Sequence, residues 1–169
     1  AAEQFDNLEM HIIATLEDAK QAAAYQAEKL GLEVIIHPEF MEGDAAEKAR
    51  ELCEYLIHAA EHGVHIWGGE TSLILPSNPG RGGRNQHLAA IAATQLTGHD
   101  NIVFLAAGTD GTDGPTPDAG GLVDFTTVAK GAEQGCEITD FIEAANVGNF
   151  LDLSGDLVTT GPTGTNVMD

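Results

Sequence analysis

The side chains best suited to hold an anion lie in residues 80–86, which read Gly-Arg-Gly-Gly-Arg-Asn-Gln. This segment contains two of the chain's three arginines, Arg81 and Arg84, and a predicted helix begins at Asn85. Guanidinium groups bind carboxylates and phosphates through paired hydrogen bonds, glycines permit close backbone approach, and a helix N-terminus offers unpaired N–H groups. The segment therefore predicts an anion site with Arg81, Arg84 and Asn85 as candidate residues. The alternative is a turn in which one arginine pairs with an internal aspartate.

A second candidate segment, residues 108–115, reads Gly-Thr-Asp-Gly-Thr-Asp-Gly-Pro and follows the most apolar predicted strand. In open α/β sheets, ligands bind beyond the carboxyl ends of the strands. Asp110 and Asp113 are short carboxylates three residues apart, and such a pair is suited to hold Mg²⁺ or to act as a general base toward a hydroxyl. The alternative is an ordinary turn, in which aspartate and glycine are common residues.

Two further segments are weaker candidates. Glu70 follows Gly68 and Gly69 at the end of a predicted strand. Residues 160–166, Thr-Gly-Pro-Thr-Gly-Thr-Asn, carry hydroxyl, amide and N–H groups suited to oxyanions, with Thr165 and Asn166 as the candidate residues. For residues 160–166 the alternative is a C-terminal turn.

The elements that position these segments alternate between strands and helices. Short β-branched or apolar runs predict strands, and apolar residues at helical spacing predict helices. This alternation predicts an α/β fold: a layered domain with a mainly parallel sheet, flanked by helices and by long Gly/Asp-rich loops. The predicted strands are 11–14, 33–36, 64–67, 71–75, 101–107 and 158–160, and the predicted helices are 15–30, 44–61, 85–96, 124–133 and 139–145.

The size, charge and composition of the chain disfavour several classes of function. The chain has 169 residues, the size of one domain, and a net charge of −20 from 27 acidic and 7 basic side chains. Such a charge disfavours nucleic acid and anionic membranes as partners. No apolar run is long enough for a membrane helix, no signal peptide is expected, and two cysteines fit a cytoplasmic protein. The chain also lacks the glycine fingerprints of dinucleotide-binding and P-loop proteins.

The four segments together, in this order, resemble the MOFRL domain, the C-terminal domain of the glycerate 2-kinase family, whose members are often named hydroxypyruvate reductases. The motifs cover about residues 66–169 of a single predicted α/β domain, 1–169, and residues 1–65 form a β-α-β-α lead-in. The resemblance implies ATP-dependent, Mg²⁺-dependent phosphorylation of D-glycerate to 2-phosphoglycerate in a cleft between two domains. The N-terminal catalytic partner domain of the family has no counterpart in these residues.

On this resemblance Arg84 is the main active-site residue, and Glu70, Asp110 and Asn166 support it. Position 87 is His where the family commonly has Glu, and Asp118 is displaced by one residue. The isolated chain is expected to be inactive. Two alternatives stay open: an NAD(P)-dependent hydroxypyruvate reductase, and a non-catalytic module that binds a small hydroxy acid. A homo-oligomer is compatible with all three.

Overall fold

The structure, a computed structural model, describes residues 11–59 and 62–167. Helices and strands alternate over the first half of the chain, and short helices follow in the second half. The elements are α1 (Leu16–Lys29), β1 (Val34–Asp44), α2 (Ala45–His58), β2 (Val64–Ser72), α3 (Arg84–Leu96), β3 (Val103–Ala107), β4 (Gly120–Asp124), α4 (Thr127–Glu133), α5 (Ile138–Glu143), α6 (Val147–Ser154) and β5 (Leu157–Val158). The α/β class predicted from the sequence is confirmed.

Local signals fix the ends of the first two helices. Thr15 and Asp18 form a reciprocal capping box at the start of α1, and Gly31, with a φ of +80°, follows its C-terminus. The Asp44 carboxylate accepts hydrogen bonds from the backbone N–H groups of Ala46 and Glu47, and so caps α2. The predicted extension of α2 to Glu61 reaches a position outside the described residues.

The strands form two sheets rather than one. β1 and β2 pair in parallel, from Val34 opposite Val64 to Asp44 opposite Ser72. The other sheet has the order β3-β4-β5, and all its pairs are antiparallel, which corrects the expectation of a mainly parallel sheet. The physical reason is the connection: β1 and β2 are joined through α2, whereas β3 and β4 are joined by a loop without a helix, which suits antiparallel strands.

Helix α3 lies at the centre of the core and contacts α2, β3, β4 and α6. Its alanines are fully buried, which lets neighbouring backbones approach closely. Gly121 of β4 faces Ala89 of α3 and Leu151 of α6, and any side chain there would overlap both. A helix buried on all sides holds its N-terminal residues firmly, and this is the end that carries Arg84. Within the described residues, no helix is long and apolar enough to cross a lipid bilayer.

Residues 11–14, predicted as a strand, have no regular secondary structure, and Ile12 and Ile13 are exposed. The predicted strand 71–75 is reduced to the last two residues of β2. Strand β4 and helix α6 were not predicted, because glycines interrupt both segments and weaken the periodic apolar pattern.

His87, in the second turn of α3, makes the stability of the fold pH-dependent. Its side chain is buried and its Nδ1 atom has no hydrogen-bond partner, so burial lowers the pKa of the imidazole below 6.5; Asp44 opposes this shift and Arg50 adds to it. Below pH 6.5 the unfolded chain therefore binds the proton more readily than the folded chain. We expect the free energy of unfolding to fall with pH from 6.5 downward, by at most about 1.4 kcal/mol per pH unit for this group.

Urea titrations of the wild type and His87→Leu across this range check the expectation. The Leu variant should show a shallower pH dependence. His58→Gln is the matched control, because His58 is exposed. Equal slopes for wild type and His87→Leu would assign the acid sensitivity to other groups.

Candidate functional site

Parts of all four polar segments meet around one cavity. Its volume is about 330 Å³, and its walls come from the end of β2, the start of α3, the loop after β3 and the C-terminal loop. The lining residues are Glu70, Arg84, Asp110, Thr112, Asp113, Gly114 and Asn166. Three carboxylates and one guanidinium therefore share a polar cavity, at the end of β2 and β3 where the sequence places its candidates.

Arg84, the first residue of α3, is held at this cavity by β2. Its Nη1 atom donates to Glu70 Oε1 at 2.6 Å and to the Thr71 carbonyl oxygen at 3.1 Å. The side chains of Arg84 and Glu70 are both partly exposed, so the pair lies at the rim rather than in the core. These two hydrogen bonds fix the plane of the guanidinium, and Glu70 balances its charge.

Asp110 lies in the loop that leaves β3. One carboxylate oxygen, Oδ1, accepts hydrogen bonds from the backbone N–H of Thr112 at 2.8 Å and from its hydroxyl at 2.9 Å. The other oxygen, Oδ2, lies 3.5 Å from the side-chain nitrogen of Asn166. Asp110 is thus oriented by its own loop and faces the C-terminal loop across the cavity.

Asp113 is almost fully buried and contacts the beginning of α3. Its Oδ1 accepts from the backbone N–H of Asn85 at 3.1 Å, and its Oδ2 accepts from that of Gln86 at 2.7 Å. The expectation that the first N–H groups of this helix are unpaired is therefore wrong for these two. The Asp113 carboxylate therefore occupies donors that would otherwise be available to an anionic ligand. Asn85 is itself buried, and its side chain is not part of the cavity lining.

Arg81 has different surroundings, although only three residues separate it from Arg84. Its guanidinium contacts Asp118 at 2.6 Å and Asp152 at 3.0 Å, and it is absent from the cavity lining. The hydrogen bond to Asp118, followed by that to Asp152, raises the pKa of Arg81 above its ordinary value. The alternative for this segment, one arginine paired with an internal aspartate, therefore holds for Arg81, whose buried partner is Asp118.

The C-terminal loop is attached to the loop after β3. The Thr163 hydroxyl donates to the Thr109 carbonyl at 2.6 Å, and the Thr163 N–H donates to the Asp110 carbonyl at 3.0 Å. Gly111, at a φ of +82°, has no room for a side chain against the Gly161 carbonyl. This contact brings Asn166 to the cavity, while Thr165 is exposed beside it and does not line the cavity.

Thr112 and Gly114 were not singled out from the sequence, yet both line the cavity. The repeated Gly-Thr-Asp of residues 108–113 was the available signal for Thr112, because its hydroxyl orients Asp110. For Gly114 the reason is tertiary: its Cα lies close to Gly83, where the loop packs on the start of α3.

Mg²⁺ fits the chemistry of this donor set. Among the described residues, no group of three or more His, Cys, Asp or Glu side chains is arranged to hold a metal ion. Mg²⁺ commonly takes only one or two protein carboxylates and completes its sphere with water and phosphate oxygens. Asp110 and Asp113 are the sequence-predicted candidates for this role, and both line the cavity.

Comparisons with known proteins bear on the family and the fold of the chain. The model of the MOFRL family matches residues 63–169. Glycerate 2-kinase from Pyrococcus horikoshii is 35% identical over 98% of the chain, and D-glycerate 2-kinase from Thermotoga maritima is 35% identical over 96%. A crystal structure of glycerate kinase from Thermotoga maritima superposes with a TM-score of 0.87 over 96% of the chain. A relative from Agrobacterium vitis carries, provisionally, the name hydroxypyruvate reductase. The chain spans only 39% and 40% of the length of the two kinases.

Proposed function

The chain belongs to the MOFRL family, and from this premise we propose that it is the C-terminal domain of a glycerate 2-kinase. It would form one wall of an interdomain cleft in which ATP phosphorylates D-glycerate to 2-phosphoglycerate. The observation that carries the proposal is the convergence of Glu70, Arg84, Asp110 and Asn166, which come from four separate segments, on one cavity. The relatives named as glycerate kinases support this reaction class.

Arg84 is the residue that we assign to the anion. Phosphoryl transfer depends mainly on positioning and on neutralising charge, and a guanidinium of fixed orientation serves both. The ligand would be the substrate carboxylate or an ATP phosphate. Glu70 would keep Arg84 in place, since its Oε1 is 2.6 Å from Nη1. Asn166 and Thr165 would add polar contacts, and Arg81 and Asn85 would support the loop and the helix start.

The excess of carboxylates explains why a divalent cation belongs to the proposal. Three carboxylates and one guanidinium line the cavity, and the net charge of the chain is −20, so a bare anion is repelled. Asp110 would hold Mg²⁺, because both oxygens of Asp113, the other carboxylate predicted from the sequence, accept hydrogen bonds from α3. When bound, Mg²⁺ neutralises phosphate oxygens and orients them. Alternatively, Asp110 would orient the attacking hydroxyl of the substrate.

The length of the relatives implies that the remaining machinery lies elsewhere. The chain covers 41% of the solved Thermotoga kinase. One wall of a cleft excludes water poorly and provides only part of the groups needed for transfer. We therefore propose that residues 1–169 fold and bind ligands without catalysing the reaction.

The test compares residues 1–169 with the complete open reading frame around them, using MgATP and D-glycerate and measuring 2-phosphoglycerate. We expect turnover of about 1–100 per second in the complete protein and none in residues 1–169. Oxidation of NADH with hydroxypyruvate, without consumption of ATP, would instead identify a reductase. Binding of the hydroxy acid without either reaction would identify a binding module.

A further inference from the structure

We propose that Asp113 is a positioning residue for Arg84: it supplies, from the facing loop, the N-cap that helix α3 lacks. The inference rests on the proposed function only for the role of Arg84, and it goes beyond that function by giving Asp113 a task other than holding Mg²⁺. It also explains how the loop after β3 and the start of α3 are kept in register across the cavity.

The hydrogen bonds identify the cap. The N-cap position of α3 is Gly83, which offers no side chain, and the helix begins at Arg84. Asn85 and Gln86 are the second and third helical residues, whose N–H groups an N-cap side chain ordinarily accepts. Here both donate to Asp113, one to each carboxylate oxygen, at 3.1 and 2.7 Å. The negative charge also lies at the positive end of the helix dipole.

Burial makes this contact specific. Asp113 is 3% exposed, and a carboxylate buried to this extent is stable only when its oxygens accept hydrogen bonds. Gly83 has an extended backbone (φ −138°, ψ −171°) that any residue adopts, so its glycine is not explained by conformation. A Cβ at Gly83 would overlap the Asp113 carboxylate and backbone, so glycine is needed for space.

The cap also links Arg84 to Asp110. Arg84 is the first residue of the helix that Asp113 caps, and Asp110 is three residues before Asp113 in the same loop. The two Asp113 hydrogen bonds therefore set the relative position of the helix start that carries Arg84 and the loop that carries Asp110. With both Asp113 oxygens bound to the helix, Asp110 becomes the first carboxylate for Mg²⁺.

The experiment uses the ¹⁵N-labelled chain with Asp113→Ala and the more conservative Asp113→Asn, which keeps one acceptor oxygen. We measure, well below the melting temperature, the ¹H–¹⁵N NOE of the Arg84 Nε–H and the exchange of the Asn85 and Gln86 amides. Asp113→Ala should mobilise Arg84 and accelerate exchange by about fivefold, the loss expected for a missing cap, and Asp113→Asn should lie between. Mg²⁺ alone, titrated by calorimetry, should bind both variants within about twofold of the wild type.

Two matched variants complete the test. Gly83→Ala keeps the carboxylate but displaces it from the helix, and should mobilise Arg84 as Asp113→Ala does. Asp110→Asn changes the same loop without touching the cap, and should weaken Mg²⁺ binding while Arg84 remains ordered. If Asp113→Ala does not fold, the same measurements are made on Asp113→Asn and Gly83→Ala.

Two results would overturn the proposal. An Arg84 side chain that stays ordered in the folded Asp113 variants would make the cap merely structural. Mg²⁺ affinity lowered by about tenfold or more in both Asp113 variants would show that Asp113 belongs to the metal site, as a ligand or as the partner of one. Neither result depends on kinase activity, so failure of the proposed function, seen as absent phosphorylation in the complete protein, is a separate outcome.

Discussion

Under the proposed function, Arg84→Lys is expected to remove most phosphoryl transfer by the complete protein while leaving its melting temperature almost unchanged. A lysine ammonium is a point charge without the planar array of N–H donors of a guanidinium. It therefore cannot keep the hydrogen bonds to Glu70 and the Thr71 carbonyl while it also binds an oxyanion. The expected loss is about 2–4 kcal/mol of transition-state stabilisation, the range for removing one strong oxyanion donor. The fold should lose less than about 1 kcal/mol, because the Glu70 pair lies at a partly exposed rim.

Steady-state kinetics and thermal melting of the same preparations check this result. A decrease in kcat/KM carried by kcat indicates a contact made in the transition state, and a rise in KM alone indicates ground-state binding. Glu70→Gln is the companion variant, since it weakens the partner of Arg84 without removing the guanidinium. Normal kinetics in a destabilised Arg84→Lys would end the assignment of an anion site.

Arg81→Ala is expected to destabilise the fold by about 2–4 kcal/mol while the folded fraction keeps its Mg²⁺ affinity. The reason is Asp118, which is 3% exposed and loses the partner 2.6 Å away. Its other side-chain contact, the Thr159 hydroxyl at 3.1 Å, does not neutralise the charge. This expected loss of stability is smaller than the loss on breaking a fully buried ion pair, because one third of the Arg81 side chain is exposed.

Urea unfolding monitored by circular dichroism measures this loss. Asp152→Asn is the matched control: it removes the second carboxylate partner of Arg81, which is largely exposed, and should cost less than about 1 kcal/mol. Arg81→Ala together with Asp118→Ala should recover part of the stability, because the uncompensated charge is then gone. An Arg81→Ala variant as stable as the wild type, but with weakened Mg²⁺ or ATP binding, would return Arg81 to the site.

Elements whose signals are local were predictable from the sequence. The capping box of Thr15 and Asp18 depends on contacts within a few positions. The apolar run of residues 101–107 predicts a strand without knowledge of its partner. The antiparallel sheet was not predictable in the same way. Strand β4 begins with Gly120 and Gly121, and glycine is not typical of strands, where β-branched residues are common. The strand forms because it pairs with β3 and packs on α3.

The candidate site was likewise predictable only in part. The types and spacing of the polar residues were enough to select the four segments, because guanidinium, carboxylate and glycine have the same chemical abilities in any fold. The different surroundings of Arg81 and Arg84 required the tertiary structure. Arg81 meets Asp118 and Asp152, which are 37 and 71 residues away, whereas Arg84 meets Glu70 from a neighbouring strand.

The sequence by itself thus determined the α/β class, the starts of the first two helices and the inventory of groups able to bind an anion and a metal. Only the tertiary structure decided which of these groups line the cavity and which are satisfied by one another. Asp113 illustrates the physical reason: a carboxylate in a Gly-rich loop is suited equally to a metal and to a helix N-terminus. The choice depends on which partner the packing of Gly83 and Gly114 brings within hydrogen-bonding distance.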